Sequence, residues 1–136
     1  MSSSKEKNKR ILAVDDEVDV LDFLKIYLET MGWEVTTASS VAQAFEELAA
    51  QEFFLVVTDI AMPELDGYEF ISAIKAQGYT CRFALMTGFG YNPKHTLIKI
   101  QKTVKYPCFF KPFDRVKVMN AVNEAFELYH ADKDKA

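Results

Sequence analysis

Four stretches of this chain, 10–14, 53–59, 79–86 and 106–110, are apolar at most consecutive positions, and a fifth, 33–38, is rich in β-formers. Consecutive rather than alternating apolar residues suit strands covered on both faces, as in a parallel sheet. Between these stretches the period changes. Leu21, Leu24, Leu28 and Met31 recur every three or four residues and predict a helix over 18–31. Val41, Ala44, Phe45 and Leu48 mark a second helix that ends at Gln51-Glu52, and Phe70, Ile71 and Ile74 mark a third over 67–76. Pro93 suits the first turn of a fourth helix running to 105, and Asp114 is a good N-cap for a fifth running to 129. Gly32 and Gly78 can stop the first and third, and Ser39 or Ser40 can cap the second. The strands end near Val14, Thr37, Asp59, Met86 and Phe110, one strand-helix unit apart each time. This alternation predicts an α/β fold of (βα)5 type, a doubly wound parallel sheet with right-handed crossovers and helices on both faces. Pro107 lacks a donor and places its strand at an edge.

Length and composition narrow the picture. At 136 residues, with Pro plus Gly totalling nine, the chain reads as one ordered domain over 10–130. Residues 1–9 read as a disordered tail and 131–136 as a solvated polar tail. No apolar run approaches the ~18 residues that cross a bilayer. The polar start lacks the apolar middle of a signal peptide, which predicts a cytoplasmic protein with no membrane contact. Cys81 and Cys108 have neither metal-ligand nor disulfide spacing and read as buried, reduced thiols. A net charge of −4 argues against direct nucleic-acid binding. The charge is uneven: 11–69 holds fourteen acids and one base, Lys25, whereas 70–113 holds seven bases and no acid. Four of those bases, Lys94, Lys99, Lys102 and Lys105, fall on the predicted fourth helix.

The candidate chemistry gathers at strand ends. Asp59 closes the most apolar strand, where open α/β sheets place their ligand sites, and the loop from Ile60 to Gly67 follows at once. Asp59 is therefore read as a nucleophile that accepts phosphate. Asp15 and Asp16 close the first strand, Thr87 the fourth, and Lys111 the fifth. If the first and third strands are neighbours, three carboxylates converge and need a compensating cation. An oxygen-liganded Mg²⁺ fits best, because it keeps waters that a phosphate can displace. Taken singly, these residues have plainer readings: helix-dipole acids, a turn aspartate, a strand-closing threonine, a surface lysine. Their joint occurrence favours the site.

The pair Asp15-Asp16, the loop from Asp59 through Pro63 to Gly67, Thr87-Gly88 and Lys111-Pro112-Phe113 together resemble the receiver domain of two-component response regulators. The likeness covers about 9–129. It implies a flavodoxin-like sheet of order 2-1-3-4-5 and a phosphorelay role in which Asp59 takes phosphate from the phosphohistidine of a sensor histidine kinase or phosphotransfer protein. It implies Asp16 as a direct Mg²⁺ ligand, Asp15 as a helper through water, and Asp59 and the Ala61 carbonyl as further ligands. Thr87 and Lys111 would contact the phosphoryl oxygens, and Ala61 and Phe89 would tune phosphate lifetime. Output would pass to a downstream protein, or a second copy, through the fourth helix and fifth strand. The family pattern has Tyr or Phe three residues before the lysine, where this chain has Cys108; Phe110 or Tyr106 could substitute. A Mg²⁺-dependent aspartyl phosphatase is the enzyme alternative, but its general-acid position two residues after the nucleophile is Ala61. The expectation is a stand-alone phosphoacceptor, not an enzyme acting on outside substrates.

Overall fold

The computed structural model describes residues 7–63, 65–88, 106–111 and 113–135. The predicted helix over 93–105, with Lys94, Lys99, Lys102 and Lys105, lies outside the described residues, as do Phe89 and Pro112. Strands β1 (Arg10–Val14), β2 (Glu34–Ala38), β3 (Leu55–Asp59), β4 (Arg82–Thr87) and β5 (Cys108–Phe110) alternate with helices α1 (Val18–Thr30), α2 (Val41–Ala50) and α3 (Gly67–Ala76). The C-terminal helix, α4, spans Arg115–Lys135. The five strands form one parallel sheet in the order β2-β1-β3-β4-β5, as the sequence led us to expect. β5 is an edge strand, and the Pro107 carbonyl accepts a hydrogen bond from the Leu85 N–H at 2.8 Å.

The unbroken apolar runs have their explanation in two cores. Ile11, Ala13, Val57, Ala84 and Met86 point to the side covered by Leu21, Leu24 and Leu28 of α1 and Val118 and Val122 of α4. Leu12, Val14, Val56, Phe83 and Leu85 point to the side covered by Ala44 and Leu48 of α2 and Phe70, Ile71 and Ile74 of α3. Each strand alternates faces, and both faces are apolar because both are covered. The helix stops fall where the sequence places them: Gly32 and Gly78 follow the ends of α1 and α3 at φ +98° and +90°. Ser40, rather than Ser39, caps α2 by accepting from the Gln43 N–H.

The C-terminal boundary differs from expectation. α4 does not stop near Tyr129 but runs to Lys135, through the stretch read as a polar tail. Its continuation carries Asp132, whose carboxylate meets Arg82 at 3.1 Å. Extending an existing helix adds one hydrogen bond for each residue fixed, and the stretch from 130 to 135 holds neither Gly nor Pro to stop it.

Candidate functional site

The register of the sheet assembles the site. Val14 pairs with Thr58, Asp59 with Met86, and Thr87 with Phe110. Asp15, Asp59, Thr87 and Lys111 therefore lie at, or one step beyond, the carboxyl ends of four adjacent strands. The Lys111 N–H donates to the Thr87 carbonyl at 2.9 Å, which fixes the lysine beside the end of β4. Asp15, Asp59 and Thr87 are buried and Asp16 is exposed.

The loop after β3 is held tightly against Asp59. The Gly67 N–H donates to the Ile60 carbonyl at 2.7 Å, and Asp66 and Glu69 form a capping box at the start of α3. A Cβ on Gly67 would stand 2.6 Å from the Asp59 carbonyl oxygen and 3.0 Å from the Ile60 Cα, both backbone atoms that cannot swing aside. Gly67→Ala is thus expected to lower stability by roughly 1–3 kcal/mol. Thermal unfolding checks this; an unchanged melting temperature would mean that the loop gives way without penalty.

Carboxylate oxygens of Asp15, Glu17 and Asp59 all lie within 4.8 Å of one another. The Lys111 ammonium sits among them, 2.8 Å from Asp15 Oδ2, 3.0 Å from Glu17 Oε1 and 3.5 Å from Asp59 Oδ2. Burial, reinforced by the Asp15 charge and only partly offset by Lys111, pushes the Asp59 carboxyl up to about 6. Burial also raises Asp15, against the pull of its bond to Lys111. Burial works against the Lys111 charge too, but hydrogen bonds to Asp15 and Glu17 and the Asp59 charge outweigh it and raise its pKa above the ordinary lysine value. The like charges are tolerated because a cation lies between them.

The buried Asp15 and Asp59 oxygens suit Mg²⁺, a hard cation that takes one or two carboxylates and keeps its waters. Crowded acids that already engage an ammonium would engage a dication for the same electrostatic reason. Among the residues read from the sequence, Asp15, Asp59, Thr87 and Lys111 come together. Asp16 points into solvent in this state, and Glu17 takes the third place in the cluster. Glu17 is not among the residues singled out from the sequence. The signal was its position in Asp15-Asp16-Glu17, but the turn from β1 into α1 decides which acid reaches Lys111; within that turn the Glu17 N–H donates to Asp15 Oδ1 at 2.9 Å. The Ala61 N–H donates to Asp59 Oδ1 at 3.3 Å.

On β5, Cys108 is half-buried rather than enclosed, and burial raises its thiol pKa. Cys81 is buried, its thiol pushed up to about 12 by that burial. Of the two aromatic residues proposed to replace a ring at position 108, Phe110 is exposed. Tyr106 packs edge-on against Phe83, with Lys75 Nζ 5.4 Å from its ring centre.

A doubly wound parallel sheet with an acid-lysine cluster at its carboxyl edge defines a class of flavodoxin-like folds with a phosphate-type site. The profile of the response regulator receiver domain matches residues 11–123, and the chain belongs to that family. Its Asp15, Glu17 and Asp59 cluster fits the phosphoacceptor site of such domains. The chain is 31% identical over 124 residues to the transcriptional regulatory protein ZraR of Escherichia coli, covering 91% of this chain and 28% of that protein. It is 31% identical over 115 residues to the CAI-1 autoinducer sensor kinase/phosphatase CqsS of Vibrio cholerae, covering 84% and 17%. The chain thus spans less than a third of the length of either relative. Among solved structures, the beryllofluoride-activated NtrC4 receiver domain dimer is 32% identical with a TM-score of 0.77, covering 89% of this chain and 98% of that one. A receiver domain protein from Clostridium thermocellum is 27% identical, also at a TM-score of 0.77, covering 90% and 97%. Among the described residues, no helix is long and apolar enough to cross a membrane.

Proposed function

We propose that Asp59 accepts a phosphoryl group from the phosphohistidine of a sensor histidine kinase or phosphotransfer protein in the cytoplasm. The observation that carries this reading is the buried Asp59 carboxylate at the end of β3, paired at 3.5 Å with the Lys111 ammonium. An Asp59 oxygen attacks phosphorus in line, the phosphorus–nitrogen bond breaks, and the imidazole leaves with its electron pair. With a pKa of about 6, Asp59 is ionised at neutral pH yet more basic than an ordinary aspartate, which favours it as a nucleophile. Lys111 offsets negative charge spread over the phosphoryl oxygens, and Thr87, at the end of β4, contacts them through its hydroxyl. Mg²⁺, when held by Asp15, Asp16 and Asp59 and the Ala61 carbonyl, supplies further positive charge to those oxygens.

Phosphate later leaves by attack of water on the acyl phosphate; the chain acts as an acceptor and its own catalyst, not as an enzyme on outside substrates. Output passes by contact with a downstream protein, or a second copy, through 94–105 and β5; the dimeric NtrC4 receiver domain supports the latter. Incubation with acetyl phosphate and Mg²⁺ is expected to add one alkali-labile phosphate, read by intact mass. Loss of that gain in Asp59→Ala supports the assignment. A phosphate that persists in the variant would move the acceptor elsewhere.

A further inference from the structure

We infer that Glu17 is a positioning residue for Lys111, a latch that holds its ammonium on the Asp15 side of the site and slows phosphate capture. The inference rests on Asp59 being the acceptor. Lys111 Nζ is closer to Asp15 and Glu17, at 2.8 and 3.0 Å, than to Asp59, at 3.5 Å. A lysine that is to meet an oxygen carried by Asp59 must lean away from Glu17. Among the described residues, Lys111 is the partner of the Glu17 side chain, while the Glu17 backbone carbonyl accepts from Val20 and Leu21 and its N–H donates to Asp15. Glu17 stands at the N-cap of α1, yet its side chain makes no capping hydrogen bond; its carboxylate goes to Lys111 instead. Its side chain is also 63% exposed, against 0% for Asp15 and 7% for Asp59. Removing its charge therefore leaves no buried group without a partner, whereas removing either aspartate alters the site itself. An exposed ion pair of this kind is modest and screened by salt, so the latch biases Lys111 without locking it.

The test is Glu17→Gln, with three measurements. In the metal-free protein, the Lys111 side-chain Nζ–Hζ correlation in NMR spectra is expected to weaken or shift as the ammonium loses a partner. With saturating Mg²⁺ and acetyl phosphate, the variant should take up phosphate about two- to fivefold faster than the parent, the gap narrowing at high ionic strength. Its apparent Mg²⁺ affinity, measured by isothermal titration calorimetry, should stay within about twofold of the parent. A fall in Mg²⁺ affinity of tenfold or more would make Glu17 a metal ligand and overturn the latch. An unchanged or slower uptake would overturn it too, as would an unmoved Lys111 signal. If the parent takes up no phosphate, the acceptor assignment for Asp59 fails, while the Lys111 signal still decides whether Glu17 holds the lysine.

Discussion

Asp59→Asn is expected to make the metal-free protein more stable at neutral pH while abolishing phosphate uptake. Burial and the neighbouring Asp15 charge raise the Asp59 pKa from 3.8 to about 6. Holding that carboxylate ionised in the folded protein therefore costs roughly 2–3 kcal/mol. Between pH 3.8 and about 6 the folded protein keeps a proton that the unfolded chain has released. Stability falls as pH rises through that window and stays low above it. Asparagine carries no charge and escapes the penalty. At pH 7.5 the variant should melt roughly 6–12 °C above the parent, and the gap should close as pH falls toward 3.5. Thermal unfolding of both proteins across that range, without divalent ions, reads it directly. Equal melting at pH 7.5, or a gap that widens on acidification, would show that Lys111 neutralises the cluster fully. A residue kept at the expense of stability is what a site selected for reaction rather than packing should contain.

How much of this was legible beforehand depends on which physics decides each feature. β1 and α3 were readable to the residue because an unbroken apolar run and a capped amphipathic stretch admit no competing structure. β3 and β4 are shorter than their apolar runs: Phe53 and Phe54 are buried, but the ladder proper starts at Leu55, and β4 starts at Arg82. Apolar content reports burial, and pairing is decided by the neighbouring strand. The end of α4 was misplaced because polar residues after Tyr129 carry no periodic signal, although nothing in them breaks a helix. At the site, Asp15, Asp59, Thr87 and Lys111 were legible because each ends a strand of a parallel sheet that strand-helix alternation implies, while the strand order that makes those ends neighbours was implied only by the family resemblance. The choice between Asp16 and Glu17 was not, since it turns on dihedral angles within one turn of chain. Nor could the sequence tell that Lys111 would sit closer to Asp15 than to Asp59, an outcome of the balance among three charges at similar range.

That balance makes Lys111 the residue whose loss should be felt most in the absence of metal. Lys111→Met keeps the length and apolar stem of the side chain but removes the cation, leaving Asp15 and Asp59 crowded, buried and uncompensated. Stripping one partner from a buried charge cluster typically costs several kcal/mol, and roughly 2–4 kcal/mol is expected here, since Glu17 faces solvent and can turn away. The penalty should shrink as pH falls, and from a higher pH than the parent's Asp59 would need, because without the ammonium that lowers its pKa Asp59 protonates more readily. The parent, for its part, should lose the lysine's contribution only at strongly alkaline pH, because the folded protein holds the Lys111 proton more firmly than the unfolded chain does. Adding Mg²⁺ at pH 7.5 should restore much of the variant's stability, since a dication answers the same need. The double variant Asp59→Asn with Lys111→Met closes the argument. With one fewer carboxylate to neutralise, Lys111→Met should cost less in the Asn background than in the parent, by about 1 kcal/mol or more. Urea unfolding of all four proteins measures that difference. Strict additivity would mean that Lys111 and Asp59 do not sense each other across their 3.5 Å separation, and the charge-balanced site described above would then have lost its foundation.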